Sequence, residues 1–395
     1  MTEFSKKTYD VVIVGAGPAG SATAIRLANA GLSVLLVEQK KFPRQKLCGE
    51  FISPECMTHF DELGVLSEMT TAGGVDLRET VFYARNGKSV VVESEWFGAK
   101  GSLALGLSRA EMDERLLQRA SEVGVEVREE TSASGLLLEL ERVSGVRLKD
   151  KDGHETSVLA KLTIDATGRT QALARRIEKP TEQRKRASHV AFKAHLRGAN
   201  IAASTCEIFA YHGGYGGCNR VENDLYNLCF IASAEDTRAN GNDAERVMRE
   251  VVFGNRRAAE TMKDATVASE WLAVPIERFG RGELVPADGL LTVGDAAAFI
   301  DPFTGSGILL ALESAKIAAS AIANNFVECE DFNVLAAKYR RNYAAVFDTR
   351  LRVCSMLRYA AFVPFLADAT ISVLSLSGGL RRRIARATRF AAKPA

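Results

Sequence analysis

The chain has 395 residues, 47% of them hydrophobic and 25% charged, and a net charge of +2. That length allows two domains or one large elaborated one, and the composition is that of a globular chain. Near-neutrality without a dominant basic face argues against a nucleic-acid partner.

In chain order, the apolar run Val11 to Val14 leads straight into Gly15, Gly17 and Gly20, a GxGxxG pattern after a strand. In such a turn Gly15 permits the tight bend and Gly17 lets backbone approach a pyrophosphate. Gly20 lets the following helix, Ser21 to Ala30, pack on the strand, and that helix's first N–H groups favour an anion. Gly31 closes the helix. A second strand, Val34 to Val37, ends at Glu38, about 20 residues beyond the glycines, where an acid binds a ribose 2′-OH and disfavours a 2′-phosphate. This predicts dinucleotide binding and leaves NAD and FAD unseparated.

Ser108 and Glu111 form a capping box for a helix from Arg109 to about Val123. Short β-like runs follow, Val125 to Arg128, Gly135 to Leu140, Gly145 to Leu148 and Ser157 to Leu162, as a small meander. "LTIDATGRT" places a strand before Asp165 and Gly168. From about Ser188 to Arg278 the chain is β-prone and aromatic, which predicts a second sheet interrupted by one helix, Asp243 to Phe253. Phe209, Tyr211, Tyr215, Tyr226, Phe230 and Trp271 are candidate walls for a hydrophobic ligand. His189, Ala191, Lys193 and His195 fall on one strand face, with the histidines read as structural. "GLLTVGDAAAFIDPFTGSG" reads as a strand, a turn with Asp295, a Pro-Gly loop and a long helix from about Gly307, where the Gly305-Ser306-Gly307 backbone presents N–H groups.

Plainer roles exist for several of these residues. Arg109 and Asp113 have the spacing of a surface helix pair. Asp165 has the look of a turn residue. Cys48 reads equally as a small buried hydrophobe, and Arg44 and Lys46 as solvated cations. Seven cysteines without CxxC or zinc-finger spacing suit a reducing compartment. The polar start, Met1 to Asp10, has no signal peptide, so the expected localisation is cytoplasmic.

GAGPAG with Glu38, then "SRAEMDERLLQRA", "DATGR" and "VGDAAAFIDPFTGSG" occur in the order found in the two-domain flavoproteins related to para-hydroxybenzoate hydroxylase, and the chain resembles them from about residue 8 to about 325. Within that superfamily, "FPRQKLCGEFISPE" and "DPFTGSG" are most similar to the geranylgeranyl reductase family, with a secondary likeness to flavin-dependent halogenases. The resemblance implies an α/β fold. A Rossmann-like FAD-binding domain would comprise 1–75, 100–185 and 280–330. A mainly antiparallel β-sheet substrate domain would comprise 76–99 and 186–279, and a C-terminal helical segment with a basic tail 331–395.

It also implies site roles. Gly15, Gly17, Gly20 and Glu38 would hold the ADP half of FAD, with Arg44 near its phosphates and Arg109 along its length. Asp165, Gly168 and Arg169 would lie near the pyrophosphate, Asp295 would bind the ribityl chain, and Gly305, Ser306 and Gly307 would face the flavin pyrimidine. Cys48 would lie close to the flavin, and Cys48 and Glu50 are the catalytic candidates. Two departures stand out. The aromatic-Trp-aromatic-Pro signature of the reductases is missing, with "GGYGGCNRVENDLYNL" roughly in its place, and the halogenase WxWxIP is missing too, with Arg78 instead of a clear catalytic lysine.

The expected activity is FAD-dependent hydride transfer to a C=C bond of an isoprenoid, lipid-like or polyketide substrate. The alternatives are oxygen activation at flavin C4a with hydroxylation or epoxidation, and a flavin- or lipid-binding protein without turnover. No second GxGxxG is present, so NAD(P)H in transient contact or a separate reductase protein would supply electrons. The apolar tail "YAAFVPFLADATISVLSLSGGL" followed by "RRRIARATR" suits either peripheral contact with an anionic membrane or a C-terminal cap.

Overall fold

The computed structural model describes residues 8–177, 187–276, 279–299, 305–328, 331–362 and 378–387. The expected Pro-Gly loop at 301–304 and most of the apolar tail lie outside them.

Strand Thr8–Val14 is buried on both faces along Val11 to Val14, as a central parallel strand requires. It pairs in parallel with Val34–Val37 on one side and Glu155–Asp165 on the other. Glu126–Arg128 and Leu290–Thr292 extend the parallel sheet. Thr131–Glu139 and Arg142–Asp150 complete it as an antiparallel meander leading into Glu155–Asp165.

Helices Pro18–Asn29, Arg109–Glu122 and Gly307–Glu328 cover one face, with Ile13, Ile25, Leu116, Leu312 and Ile322 in a common core. Half of the expected capping box forms: Ser108 Oγ accepts from the Glu111 N–H at 3.2 Å, but the Ser108 N–H donates to Glu222 Oε2 at 2.9 Å instead of to Glu111. Helix Phe332–Phe362 packs on Gly307–Glu328. It buries Tyr339, Tyr343 and Phe347, spaced four apart on one face, and the Tyr339 hydroxyl donates to the Thr292 carbonyl at 2.6 Å. Among the described residues one stretch, Gly307–Phe326, is long and apolar enough to cross a bilayer, but most of it is buried within the fold.

The second sheet has eight strands. His189–Arg197, Tyr226–Ser233, Gly214–Arg220 and Thr205–Tyr211 run antiparallel in that order. Thr205–Tyr211 then pairs in parallel with Glu79–Tyr83, and Ser89–Glu93 forms the edge. Period-two alternation divides the side chains. Phe192, Phe209, Tyr211, Cys218, Leu228 and Phe230 form a core on one face with Val247, Met248 and Ala258.

Those last three residues belong to a helical layer that sequence reading underestimated. In place of one helix from Asp243 to Phe253 there are three short ones, Ala234–Ala239, Ala244–Glu250 and Arg256–Thr261. Ser233, Asp243 and Asn255 each accept a backbone N–H as an N-cap, so each restarts the chain in a new direction.

Candidate active site

The three glycines of the first turn do different things. Gly15 has φ +105, and a Cβ on it would lie 2.4 Å from the Ala166 carbonyl oxygen; on Gly20 it would lie 1.8 Å from the Gly15 oxygen. Both are demanded by close backbone packing. A Cβ on Gly17 would approach only the guanidinium tips of Arg109 at 3.7 Å and Arg44 at 3.9 Å. Gly17 therefore opens into a cleft at the N-terminus of helix Pro18–Asn29, which has no side-chain cap.

Arg109 and Asp113 are not a surface pair. Asp113 is fully buried and takes Arg109 Nε at 2.8 Å and Nη2 at 2.6 Å, while Arg44 Nη1 donates to the same carboxylate at 3.0 Å. One carboxylate thus fixes two guanidiniums beside Gly17, and Arg44 Nη2 also lies 3.4 Å from Glu38 Oε2. Burial draws the Arg109 guanidinium down, but Asp113, with Cys48 adding to it, holds it above its ordinary value. The buried Glu38 closes the other side: Oε2 accepts from the Ala16 N–H at 3.0 Å and Oε1 from the Lys40 N–H at 3.1 Å.

Asp165 requires a correction. Oδ1 accepts from the Thr167 N–H and hydroxyl at 3.0 and 2.6 Å, and Oδ2 from the Leu173 and Ala174 N–H groups, each at 2.9 Å. Fully buried and saturated by its own turn, this carboxylate fixes the loop after Glu155–Asp165. Gly168, at φ +72 with nothing within 4 Å of a Cβ, remains open. Arg169 donates to the Pro275 carbonyl at 3.1 Å and lies over the Phe299 ring.

Asp295 sits in the same region. Its carboxyl is raised above the usual range by burial, against the pull of Arg169, Arg109 and Lys46. Lys46 is lowered by desolvation in the cleft and by repulsion from Arg109 and Arg44. Gly307 starts the long helix with open space where a Cβ would be, Ser306 is buried and Gly305 lines a cavity. The open Gly17, its two guanidiniums and Glu38 fit a diphosphate and a ribose, and Asp295 fits a polyol chain, so the residues present suit FAD.

Glu50 is not a free acid or base. It is fully buried at φ +51. Its Oε1 accepts from the Lys193 ammonium and from the Arg109 backbone N–H at 2.8 Å, and its Oε2 bonds His195 Nε2 at 2.6 Å. Burial pushes the Glu50 carboxyl up, but the His195 hydrogen bond and the Lys193 charge outweigh it and leave it below the usual range.

Lys193 also donates to Gln45 Oε1 at 3.0 Å and the Lys46 carbonyl at 3.3 Å, Asn227 Nδ2 to the Cys48 carbonyl at 3.2 Å, and Asn219 Nδ2 to the Glu50 carbonyl at 3.3 Å. The segment from Gln45 to Glu50 is thus bolted onto the second sheet. Lys193, Asn219 and Asn227 were missed as site residues, although a lysine within the apolar run "AFKAHL" was a signal. Cys48 is partly buried, its sulfur accepting from the Glu50 N–H at 3.4 Å.

An apolar cavity lies between this segment and the sheet. Leu47, Gly49 and Phe51 form one wall and Phe82, Cys206, Ile208, Tyr215 and Asn219 the other. Of the predicted aromatic wall, Tyr215 lines it with its side chain, whereas the Phe230 ring packs behind the sheet on Phe192 and Trp271. Phe209, Tyr211, Tyr226 and Trp271 do not: they pack on the opposite face, with the short helices, because strand alternation puts Cys206 and Ile208 on the cavity side and Phe209 and Tyr211 behind them.

The family model described as an FAD binding domain matches residues 8–341. The digeranylgeranylglycerophospholipid reductase of Methanosarcina acetivorans is 31% identical over 329 residues, covering 80% of this chain and 75% of that protein. In structure, a geranylgeranyl bacteriochlorophyll reductase-like protein from Thermoplasma acidophilum is similar with TM-score 0.79 and 20% identity, covering 98% of this chain and 97% of that one. The flavin-dependent brominase Bmp2 is similar with TM-score 0.80 and 23% identity, covering 97% of this chain and 93% of that one. The glycine turn with its paired guanidiniums and these relationships lead to one assignment: the chain belongs to the geranylgeranyl reductase family of FAD-dependent oxidoreductases.

Proposed function

We propose that the protein reduces C=C bonds in an extended isoprenoid lipid. The observation that carries this reading is the apolar lining of a cavity of about 100 Å³ beside the Cys48-bearing segment and Gly305, which suits the apolar part of a substrate around one double bond. The similarity to a reductase of geranylgeranyl-bearing phospholipids supports it.

FAD, when bound and reduced, supplies hydride. The chain's residues do the rest. Gly17, Arg44 and Arg109 hold the diphosphate, Glu38 the ribose and Asp295 the ribityl chain. Leu47, Phe51, Phe82 and Ile208 hold the substrate and exclude water from it. Adding hydride to one alkene carbon requires a proton at the other. Cys48, whose sulfur lies beside the Arg109 guanidinium, supplies it from its thiol, and solvent returns the proton. NAD(P)H or a separate reductase protein restores the electrons.

The test is anaerobic incubation of the chemically reduced, FAD-loaded protein with a geranylgeranyl-bearing phospholipid, read by mass spectrometry. Products gaining two hydrogens per double bond are expected. Unchanged lipid, or oxygen-dependent gain of an oxygen atom, would overturn the reading, the second in favour of hydroxylation or epoxidation.

A further inference from the structure

The cavity lining crosses the second sheet from Ala191 on strand His189–Arg197 to Val92 on the edge strand Ser89–Glu93. That is five strand spacings, about 24 Å. Beyond Val92 its end is formed by Phe97, in the 3₁₀ turn Ser94–Phe97.

Helix Gly378–Ala387 packs at this end, touching both the edge strand and the turn. Arg381 Nη1 donates to the Val91 carbonyl at 3.4 Å, and Ala385 is buried. The helix thus covers part of a sheet edge that would otherwise present unpaired carbonyls.

Its other side is basic. Arg382, Arg383 and Arg386 are exposed and fall within an arc of about 100°, turned away from the side of Arg381 and Ala385. Among the described residues no carboxylate pairs with any of the three. The acids on the elements beneath are Glu93 and Glu95, and Glu95 Oε2 is occupied by the Gly101 N–H at 3.0 Å.

We propose that Arg382, Arg383 and Arg386 are the docking face for an anionic phospholipid membrane. They hold headgroup phosphates at the edge where the cavity ends, so that a lipid chain can pass from the bilayer across the sheet. Three cations on one helix face, placed where an apolar cavity ends, complement a molecule with an anionic head and an apolar tail. The lipid-delivery part rests on the proposed function; the membrane contact does not.

The test uses the full FAD-loaded chain and the triple variant Arg382→Gln, Arg383→Gln, Arg386→Gln. Both are sedimented with phosphatidylcholine vesicles with and without phosphatidylglycerol. Wild type should bind only the anionic vesicles, and the variant about a hundredfold more weakly, with unchanged FAD content. Equal vesicle binding by the variant, or equal binding of wild type to neutral vesicles, would overturn the docking face. Thermal stabilisation by inorganic phosphate without vesicle binding would identify a free-phosphate site instead. Vesicle binding without lipid reduction would refute the functional reading alone, and reduction in detergent without vesicle binding would refute the docking face alone.

Discussion

Replacing Lys193 with methionine keeps the length of the side chain but removes a buried charge. Lys193 is 2% exposed and Glu50 0%, and the ammonium serves Glu50 Oε1, Gln45 Oε1 and the Lys46 carbonyl. Breaking one side of a buried pair costs about 3–5 kcal/mol, because the remaining carboxylate keeps its desolvation cost without its partner. Spread over the unfolding entropy of 395 residues, this lowers Tm by about 4–6 °C.

The damage should be directional. Gln45, Lys46 and Cys48 share one segment with Glu50, and Arg44 adjoins it, so the variant should also release FAD more readily, measured as flavin fluorescence in the ultrafiltrate. The double variant Lys193→Met, Glu50→Gln removes both charges and should recover at least half of the lost stability. Differential scanning calorimetry of the four proteins in this cycle gives the coupling directly. Loss of less than about 1 kcal/mol in Lys193→Met, or no recovery in the double variant, would refute the assignment of this pair as the bolt between the Gln45 to Glu50 segment and the second sheet.

Gly17→Ala and Gly20→Ala should separate binding from folding: Gly17→Ala meets only side-chain tips at 3.7 and 3.9 Å and should fold with FAD affinity at least about tenfold lower, whereas Gly20→Ala, 1.8 Å from a backbone oxygen, should not yield soluble protein. Phe209→Leu should cost about 1 kcal/mol of stability and leave KM unchanged, while Ile208→Ala on the cavity side should raise KM; a KM effect from Phe209→Leu would restore the aromatic residues to the binding wall. Glu50 is lowered in the folded state, so its contribution is fully present above its unfolded value of about 4.3 and is lost as pH falls through the folded value. Wild-type Tm should therefore fall more steeply below about pH 4.3 than that of Glu50→Gln, and parallel curves would count against it.

Local chemistry made much of this protein legible in the sequence. A buried run of three valines and one isoleucine into Gly15, Gly17 and Gly20, an acid at the end of the next strand and an N-cap at Ser108 each act within a few residues, so periodicity and turn chemistry suffice to place them. The same holds for the shared face of Lys193 and His195, which strand alternation fixes.

Partnership across the chain was not legible. Arg109 and Asp113 have the spacing of an exposed pair until Arg44 arrives on the same carboxylate. The resemblance puts Asp165 beside a pyrophosphate, whereas Leu173 and Ala174 fold back onto it and make it the turn residue its place before Gly168 suggests. Glu50 has the makings of an acid until Lys193 and His195, more than a hundred residues away, neutralise it. Alternation states that Ile208 and Phe209 face opposite ways but not which way is the cavity, because that depends on the side of the sheet taken by the helices Ala234–Ala239, Ala244–Glu250 and Arg256–Thr261. Sequence specifies each side chain's chemistry and its local direction; burial, and with it whether a charge is a reagent or a fastener, is decided only when distant segments close over it.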